Sequence, residues 1–161
     1  MGNGGKAVLL NLTNLIGIFA ATSSFAETCS GDAVSLRGDW GKARFNVEIA
    51  DDYSERSKGL MNRDFMASNS GMLFVYDRPS AVNFWMRNTL IPLDIIFADS
   101  RGVVQHVHAN ALPLDETPIP GGPNIQYVLE INGGLAQAIG INVGTELHHP
   151  SLFQENAAWP C

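Results

Sequence analysis

Two acidic residues stand alone in stretches that are otherwise aliphatic, and they are the first candidates for chemistry. Asp94 and Glu130 each have apolar residues on both sides. A carboxyl group in a buried strand must be paired, turned outward or used in a reaction. Two carboxyls in one cleft could act as general acid and general base, which would make the protein a hydrolase of envelope material. The structural alternative is a polar partner for Asp94, such as Arg87 or Asn88, and a solvent-facing position for Glu130.

A second group of residues could bind a metal ion. His106 and His108 are two residues apart on a predicted strand, so both imidazoles should project from one face. Neutral imidazole is a common ligand of zinc and copper, and a methionine such as Met61, Met72 or Met86 would favour copper(I). No motif of fixed spacing supplies a third ligand, and methionine more often fills a core. The sequence leaves copper or zinc handling as an alternative and predicts no cofactor.

The third candidate is a binding surface around Trp85. On the predicted strand 82–86, alternation puts Val82, Phe84 and Met86 on one face and Asn83 and Trp85 on the other. An exposed Trp beside polar side chains could hold a ring, a sugar or a peptide, whereas a sheet covered on both faces would simply bury it. A proline-rich loop, Leu112–Pro123, could cover the site. The predicted ligand-binding residues are Trp85, Arg87, Asn88, Asp94, His108 and Asn110.

Motifs of nucleophilic catalysis are missing from the sequence. It contains no Gly-x-Ser-x-Gly, and its two cysteines lie outside the predicted domain. The glycines at 121–122 precede a predicted strand and not a helix, which disfavours a phosphate-binding loop. The leading hypothesis is therefore a non-catalytic ligand-binding or accessory module. Its partner is an unknown small molecule, glycan or protein.

The N-terminal residues have the pattern of an export signal. Lys6 is followed by a mostly apolar stretch, and Ser24 and Ala26 occupy the small-residue positions of a cut before Glu27. The alternative, a membrane anchor, needs about 20 apolar residues, and this stretch is shorter. We expect residues 1–26 to be a signal peptide, the mature protein to be periplasmic or secreted, and no membrane span to remain after cleavage.

The two cysteines agree with export. Cys29 lies near the predicted mature N-terminus and Cys161 is the last residue. In an oxidising compartment a pair of cysteines predicts one disulfide, which would join the two ends of the domain. Two free thiols or an intermolecular bridge are the alternatives.

The charge balance excludes some partners. The net charge is −6, and removal of residues 1–26 takes away Lys6 and no acid. An acidic chain does not favour the phosphate backbone of nucleic acids or an anionic lipid surface, since both require a basic face.

Hydrophobic patterns between residues 43 and 149 predict one mainly β domain. Asp52 and Glu55 have capping-box spacing, which predicts a short helix ending near Met61, and Gly140 should end a second helix. Residues 27–42 and 150–161 are interpreted as tails. The fold class is a single small β-sandwich or jelly-roll-like barrel with one or two short helices. Predicted strands cover residues 43–50, 72–76, 82–86, 93–98, 103–109, 125–131 and 143–147.

Several motifs in this order resemble a known family. They are Arg56–Met61, Gly71–Val75, Phe84–Phe97, with its Phe-Trp-Met-x-Asn-Thr block, His108–Ala111, Gly121–Pro123 and Tyr127–Gly134. Together they resemble the domain-of-unknown-function-192 (UPF-0127) family of bacteria and archaea over about residues 43–147. The resemblance implies a small β-sandwich or barrel, often behind a signal peptide, and assigns no catalytic residue.

Overall fold

A computed structural model describes Met1, Gly2, Gly4 and residues 28–161. These residues form one seven-stranded sheet, curled into a half-barrel, with two short helices. The strand order across the sheet is β5-β4-β6-β3-β2-β1-β7. In chain order the elements are β1 (Ala33–Gly38), β2 (Gly41–Ala50), α1 (Tyr53–Lys58), β3 (Ser70–Phe84), β4 (Leu93–Ala98), β5 (Val104–Ala111), β6 (Ile119–Asn132), α2 (Leu135–Ile139) and β7 (Glu146–His148).

The sheet buries apolar side chains on both faces. Alternate residues of a strand point to opposite faces, so β6 contributes to two separate cores. Leu129 and Ile131 enter the first core, which α2 joins through Ala136. Val128 enters the second core, together with Phe74 of β3. Polar groups on either face are therefore desolvated unless a cleft reaches them.

Helix α1 is placed by the parallel pairing of β2 and β3, whereas the other neighbouring pairs are antiparallel. Parallel strands need a crossover connection, and α1 lies within it. The predicted capping box is confirmed: the Glu55 amide donates to the Asp52 carboxylate at 2.8 Å, and the Asp52 amide donates to Glu55. Gly59 ends the helix at φ 47°, where a Cβ would lie 3.2 Å from the Phe74 ring. Helix α1 thus sits against the Phe74 side of β3.

Strands β3 and β6 are longer than the sequence predicted. The predicted strand 72–76 and residues 82–84 of the predicted strand 82–86 are parts of β3, in which shifts of register between Val75 and Val82 mark bulges. The predicted loop Leu112–Pro123 is shorter, because β6 begins at Ile119 and carries two prolines beside these bulges. The connecting loop is therefore residues 112–118.

The predicted tails are wrong in part. Residues 33–38 form β1, which pairs with β2 and β7 and buries Val34 and Leu36. The C-terminal segment packs on the sheet through Leu152, which is buried. Cys29 and Cys161 are bonded, with their Cα atoms 5.6 Å apart, as the sequence predicted.

The mainly β class with two short helices is confirmed, and its sheet is one curled half-barrel. The predicted signal peptide lies outside the described residues, apart from Met1, Gly2 and Gly4. Within the described part of the chain, no helix is long and apolar enough to span a membrane.

Candidate functional site

Asp94 has a structural role that accounts for its burial. The carboxylate on β4 is fully buried and accepts three backbone hydrogen bonds. They come from the amides of Asn110 at 2.7 Å, Gly134 at 2.9 Å and Ala136 at 2.7 Å. Asp94 therefore joins the end of β5 to the start of α2. Its partners are backbone amides and not Arg87 or Asn88, the candidates that the sequence suggested.

The predicted pair of catalytic carboxylates is wrong. In the β4–β6 register Asp94 lies opposite Ile131, and Ile95 lies opposite Glu130. Opposed residues share a face and their chain neighbours take the other. Asp94 thus lies on the face of the first core, whereas Glu130 lies on the face of the second core. A one-residue offset puts the sheet itself between the two acids, so they cannot act on one substrate bond.

The two histidines of β5 do share a face, because His106 lies opposite Phe97 and His108 opposite Ile95. The His106 ring is exposed and stacks on Phe97, with centroids 5.7 Å apart. Within residues 28–161, no third His, Cys, Asp or Glu completes a metal-binding group with either histidine. Met72 and Met86 are buried in the second core. The copper or zinc site on His106 and His108 stays a prediction from the sequence.

A small cleft opens above Glu130, between α1 and β3, and we call it the Glu130 cleft. Its volume is about 80 Å³. Residues 56–61, from the end of α1 and the turn after it, form one wall. The rest of the lining comes from β3, the turn after β3, and β6: Phe74, Tyr76, Asn83, Phe84, Trp85, Thr89 and Glu130.

Glu130 is an acid that the fold buries without a partner. The residue is 4% exposed, between Met72 of β3 and Ile95 of β4 in the sheet. Among the described residues no group forms a hydrogen bond or ion pair with its carboxyl, and desolvation alone raises its pKa from 4.5 to about 8. Every fully enclosed polar side-chain atom in the described part of the chain has a hydrogen-bond partner. The Glu130 oxygens must therefore open onto the cleft.

Arg56 and Tyr76 form the polar wall of the cleft. The Arg56 guanidinium lies over the Tyr76 ring, 5.0 Å from its centroid, and donates to the carbonyl of Val75 at 2.8 Å and to that of Asp51. Burial raises the pKa of the Tyr76 hydroxyl, so it stays protonated at neutral pH. Both side chains are fixed by contacts within the protein before any ligand binds.

Trp85 lies at the mouth of the cleft and is 47% exposed, while Val82 and Met86 are buried, as alternation predicted. The Arg87 guanidinium lies 5.6 Å from the Trp85 ring centroid. Loop 112–118 holds this region in place, since the Met86 amide donates to Asp115 at 2.8 Å. An aromatic surface with a cation beside it thus borders the buried acid.

Only some of the predicted ligand-binding residues lie at the Glu130 cleft. Trp85 lines the Glu130 cleft, and Arg87 contacts Trp85. Asn88 follows in the turn, where its carbonyl accepts from the Asn62 amide at 2.7 Å. His108 is half-buried two strands from Glu130.

The other two predicted residues belong elsewhere. Asp94 and Asn110 meet on the opposite side of the sheet from Glu130, as their shared hydrogen bond shows. Sequence reasoning missed Arg56, Tyr76 and Asn83 as members of the cleft. This wall of the cleft coincides with Arg56–Met61, one of the motifs that carry the family resemblance.

Solved structures that are similar to this chain include the following two. A protein of unknown function from Novosphingobium aromaticivorans is 44% identical, with a TM-score of 0.70, over 71% of this chain and 82% of its own. A protein from Sinorhizobium meliloti described as a proposed transcription regulator is 36% identical, with a TM-score of 0.73, over 79% of this chain and all (100%) of its own. No curated protein matches the chain.

The sequence profile of one protein family covers most of the chain. It matches residues 34–149, from the first residues of β1 to the end of β7, and so includes both helices and the Glu130 cleft. The family is described as "Uncharacterized ACR". The chain belongs to the domain-of-unknown-function-192 family (DUF192).

Proposed function

We propose that this protein is an extracytoplasmic, non-catalytic binding module whose ligand docks in the Glu130 cleft. The observation that supports this is the buried carboxyl of Glu130, which has no hydrogen-bond partner among the described residues and opens into a cleft bordered by an exposed Trp85. A buried polar group without a partner costs free energy. A ligand that supplies the missing hydrogen bond recovers that free energy on binding.

The size of the cleft limits what enters it. A volume of about 80 Å³ accommodates one functional group and not a whole metabolite. The rest of the ligand must therefore lie outside, where Trp85 offers an apolar surface. The ligand we expect carries a flat or ring-shaped part next to one projecting polar group.

The electrostatics favour a hydrogen-bond acceptor as that group. With a pKa of about 8, the Glu130 carboxyl is protonated at neutral pH and donates one hydrogen bond. Arg56 and Lys58 line the cleft and Arg87 lies beside Trp85, so the surrounding charge is positive. Positive charge at the rim disfavours an amine and favours hydroxyl, carbonyl or carboxylate oxygens. A neutral or acidic saccharide, with its ring on Trp85, fits these conditions best.

Two other functions are less well supported. The hydrolase that the sequence suggested would use Glu130 and Asp94 together, and Asp94 lies on the opposite face of the sheet. Regulation of transcription, given for the Sinorhizobium meliloti protein, does not follow for this chain, because its net charge of −6 does not favour DNA phosphates.

Calorimetric titration of the purified protein with neutral and acidic oligosaccharides, and with short peptides, tests the proposal. Glu130→Met removes the donor at similar volume, and Trp85→Ala removes the surface. Each should weaken binding by roughly tenfold, equivalent to about 1.4 kcal/mol. Phe153→Ala, which removes an aromatic residue 53% exposed outside the cleft, is the matched control.

The pH dependence separates this role from a structural one. Binding to the wild type should weaken as the pH rises through about 8, because Glu130 then loses the proton that it donates. Glu130→Gln retains a donor and should bind with little dependence on pH. The proposal is wrong if neither probe class binds, or if the Glu130 and Trp85 variants bind like the control.

The extracytoplasmic location is part of the proposal and has its own test. Fractionation of the source cells, followed by mass spectrometry of the purified protein, should find a chain that begins at Glu27 outside the cytoplasm. A cytoplasmic chain that retains residues 1–26 would contradict it.

A further inference from the structure

A second group of reactive side chains lies far from the Glu130 cleft, where the two ends of the domain meet. Cys29, Cys161 and His148 each offer one ligand atom, and the three atoms all lie within 4.8 Å of one another. The Cys29 sulfur is 3.0 Å from Nε2 of His148. In the oxidised protein this group is a disulfide with an imidazole directed at one of its sulfurs.

The fold fixes the imidazole and leaves the disulfide accessible. His148 is 3% exposed on β7, and its backbone pairs with Ser35 of β1. Its ring stacks on Trp159, with centroids 4.5 Å apart and planes at 9°. Cys29 is half-buried and Cys161 is exposed. A thiol reagent can therefore reach the disulfide while the histidine stays in position.

We propose that reduction of the Cys29–Cys161 disulfide creates a metal site with two thiolates and His148 as ligands, suited to zinc or a similar thiolate-binding ion. Zinc binds sulfur at about 2.3 Å and imidazole nitrogen at about 2.0–2.1 Å, so tetrahedral ligands lie roughly 3.5–3.8 Å apart. The Cys29 sulfur lies 3.0 Å from Nε2 of His148, slightly closer than this range, whereas the two sulfurs are covalently bonded in the oxidised protein. Reduction would free the exposed Cys161 to move away from Cys29, until the two sulfurs and the imidazole nitrogen occupy three corners of a tetrahedron.

The chemistry balances with a dithiol as the reductant. Exchange transfers two electrons and two protons to the protein, breaks its sulfur–sulfur bond and leaves the donor as a disulfide. Metal binding then releases the two thiol protons, since thiolate and not thiol is the ligand.

This site has a structural consequence that the Glu130 cleft does not share. Either the disulfide or the metal ion would hold the two ends of the domain together. The clasp would therefore persist in the reduced protein whenever the ion is present. The inference is independent of the ligand proposed for the cleft.

Titration of the phosphine-reduced protein with Co²⁺, followed by competition with Zn²⁺, tests the site. One equivalent of Co²⁺ should produce thiolate-to-cobalt charge-transfer absorption, and Zn²⁺ should remove it. The oxidised protein should show neither effect. His148→Ala should weaken Co²⁺ binding by more than about a hundredfold. Loss of a residue that only hydrogen-bonds to a metal ligand usually costs less than this, so the larger effect would identify His148 as a ligand. His106→Ala, at an exposed histidine on another strand, is the matched control.

The thiolate absorption and its stoichiometry are measured on the wild type, so the test stands even if a variant fails to fold. Cys161→Ser supplies a second variant and should abolish most of this absorption. The proposal is overturned if the reduced wild type shows no charge-transfer band at one equivalent. It is equally overturned if folded His148→Ala binds Co²⁺ as tightly as His106→Ala.

Discussion

Replacing Glu130 with glutamine should make the free energy of unfolding less dependent on pH between about 5 and 8. In the folded state burial raises the pKa of Glu130 from 4.5 to about 8. The folded protein therefore retains a proton that the unfolded chain releases between these two values. By linkage, the free energy of unfolding falls as the pH rises through this window. Glutamine does not titrate, so the variant lacks this loss.

The pKa values set the size of the effect. Each pKa unit corresponds to about 1.4 kcal/mol, so the full rise from 4.5 to about 8 corresponds to roughly 5 kcal/mol. Part of this loss falls below pH 5, and Glu130 is only half ionised at its own pKa. Between about pH 5 and about pH 8 the wild type should lose roughly 3–4 kcal/mol relative to Glu130→Gln.

Urea denaturation of both proteins at the two pH values measures this difference. Other titrating groups, including His149, whose pKa burial lowers, contribute equally to both proteins and cancel. Glu116→Gln, at an exposed acid in loop 112–118, controls for the loss of one negative charge. A difference between wild type and Glu130→Gln that stays constant with pH would show that Glu130 ionises normally, and the argument for the cleft would fail.

Three further predictions concern stability, measured by denaturant unfolding. Asp94→Asn should lower the free energy of unfolding by about 3 kcal/mol, because an amide replaces a carboxylate that accepts three backbone hydrogen bonds. A loss under about 1 kcal/mol would contradict the structural role of Asp94. Gly71→Ala should cost roughly 1–3 kcal/mol, since its Cβ would lie 2.4 Å from a carbonyl oxygen of β6, whereas Gly31→Ala, with nothing within 4 Å, should be neutral. Replacing Cys29 and Cys161 with serine should cost up to about 5 kcal/mol under oxidising, metal-free conditions, and an unchanged midpoint would refute this.

Local features of this fold could be read from the sequence, because short-range physics specifies them. The capping box at Asp52 and Glu55 satisfies backbone amides within one turn, and Gly140 ends α2 in a left-handed conformation. Strand β1 was missed because Ala33–Gly38 is short and mixes polar with apolar residues. Its burial comes from β2 and β7, and β7 is distant in the chain.

The candidate site could be predicted from the sequence less completely than the local features of the fold. The apolar neighbours of Glu130 and Asp94 in the sequence identified both as unusual acids. The pattern of one strand could not show whether the two carboxyls lie on the same face of the sheet. That relation depends on register, and a shift of one residue between β4 and β6 would have placed both carboxyls on the same face. Arg56 joins the cleft only through the crossover between β2 and β3, which no local pattern specifies.

The pairing of β1 with β7 also affects how fast the protein can fold. Ser35 pairs with His148, so closing this edge of the sheet brings together residues separated by nearly the whole domain. The loop-closure entropy of such a contact is lost before the contact adds stability, and folding rates fall as mean contact separation rises. We expect the β1–β2 and β4–β5 hairpins, whose paired residues are nearest in the chain, to form early. The pairing of β7 with β1, beside the Cys29–Cys161 disulfide, would then be among the last contacts to form.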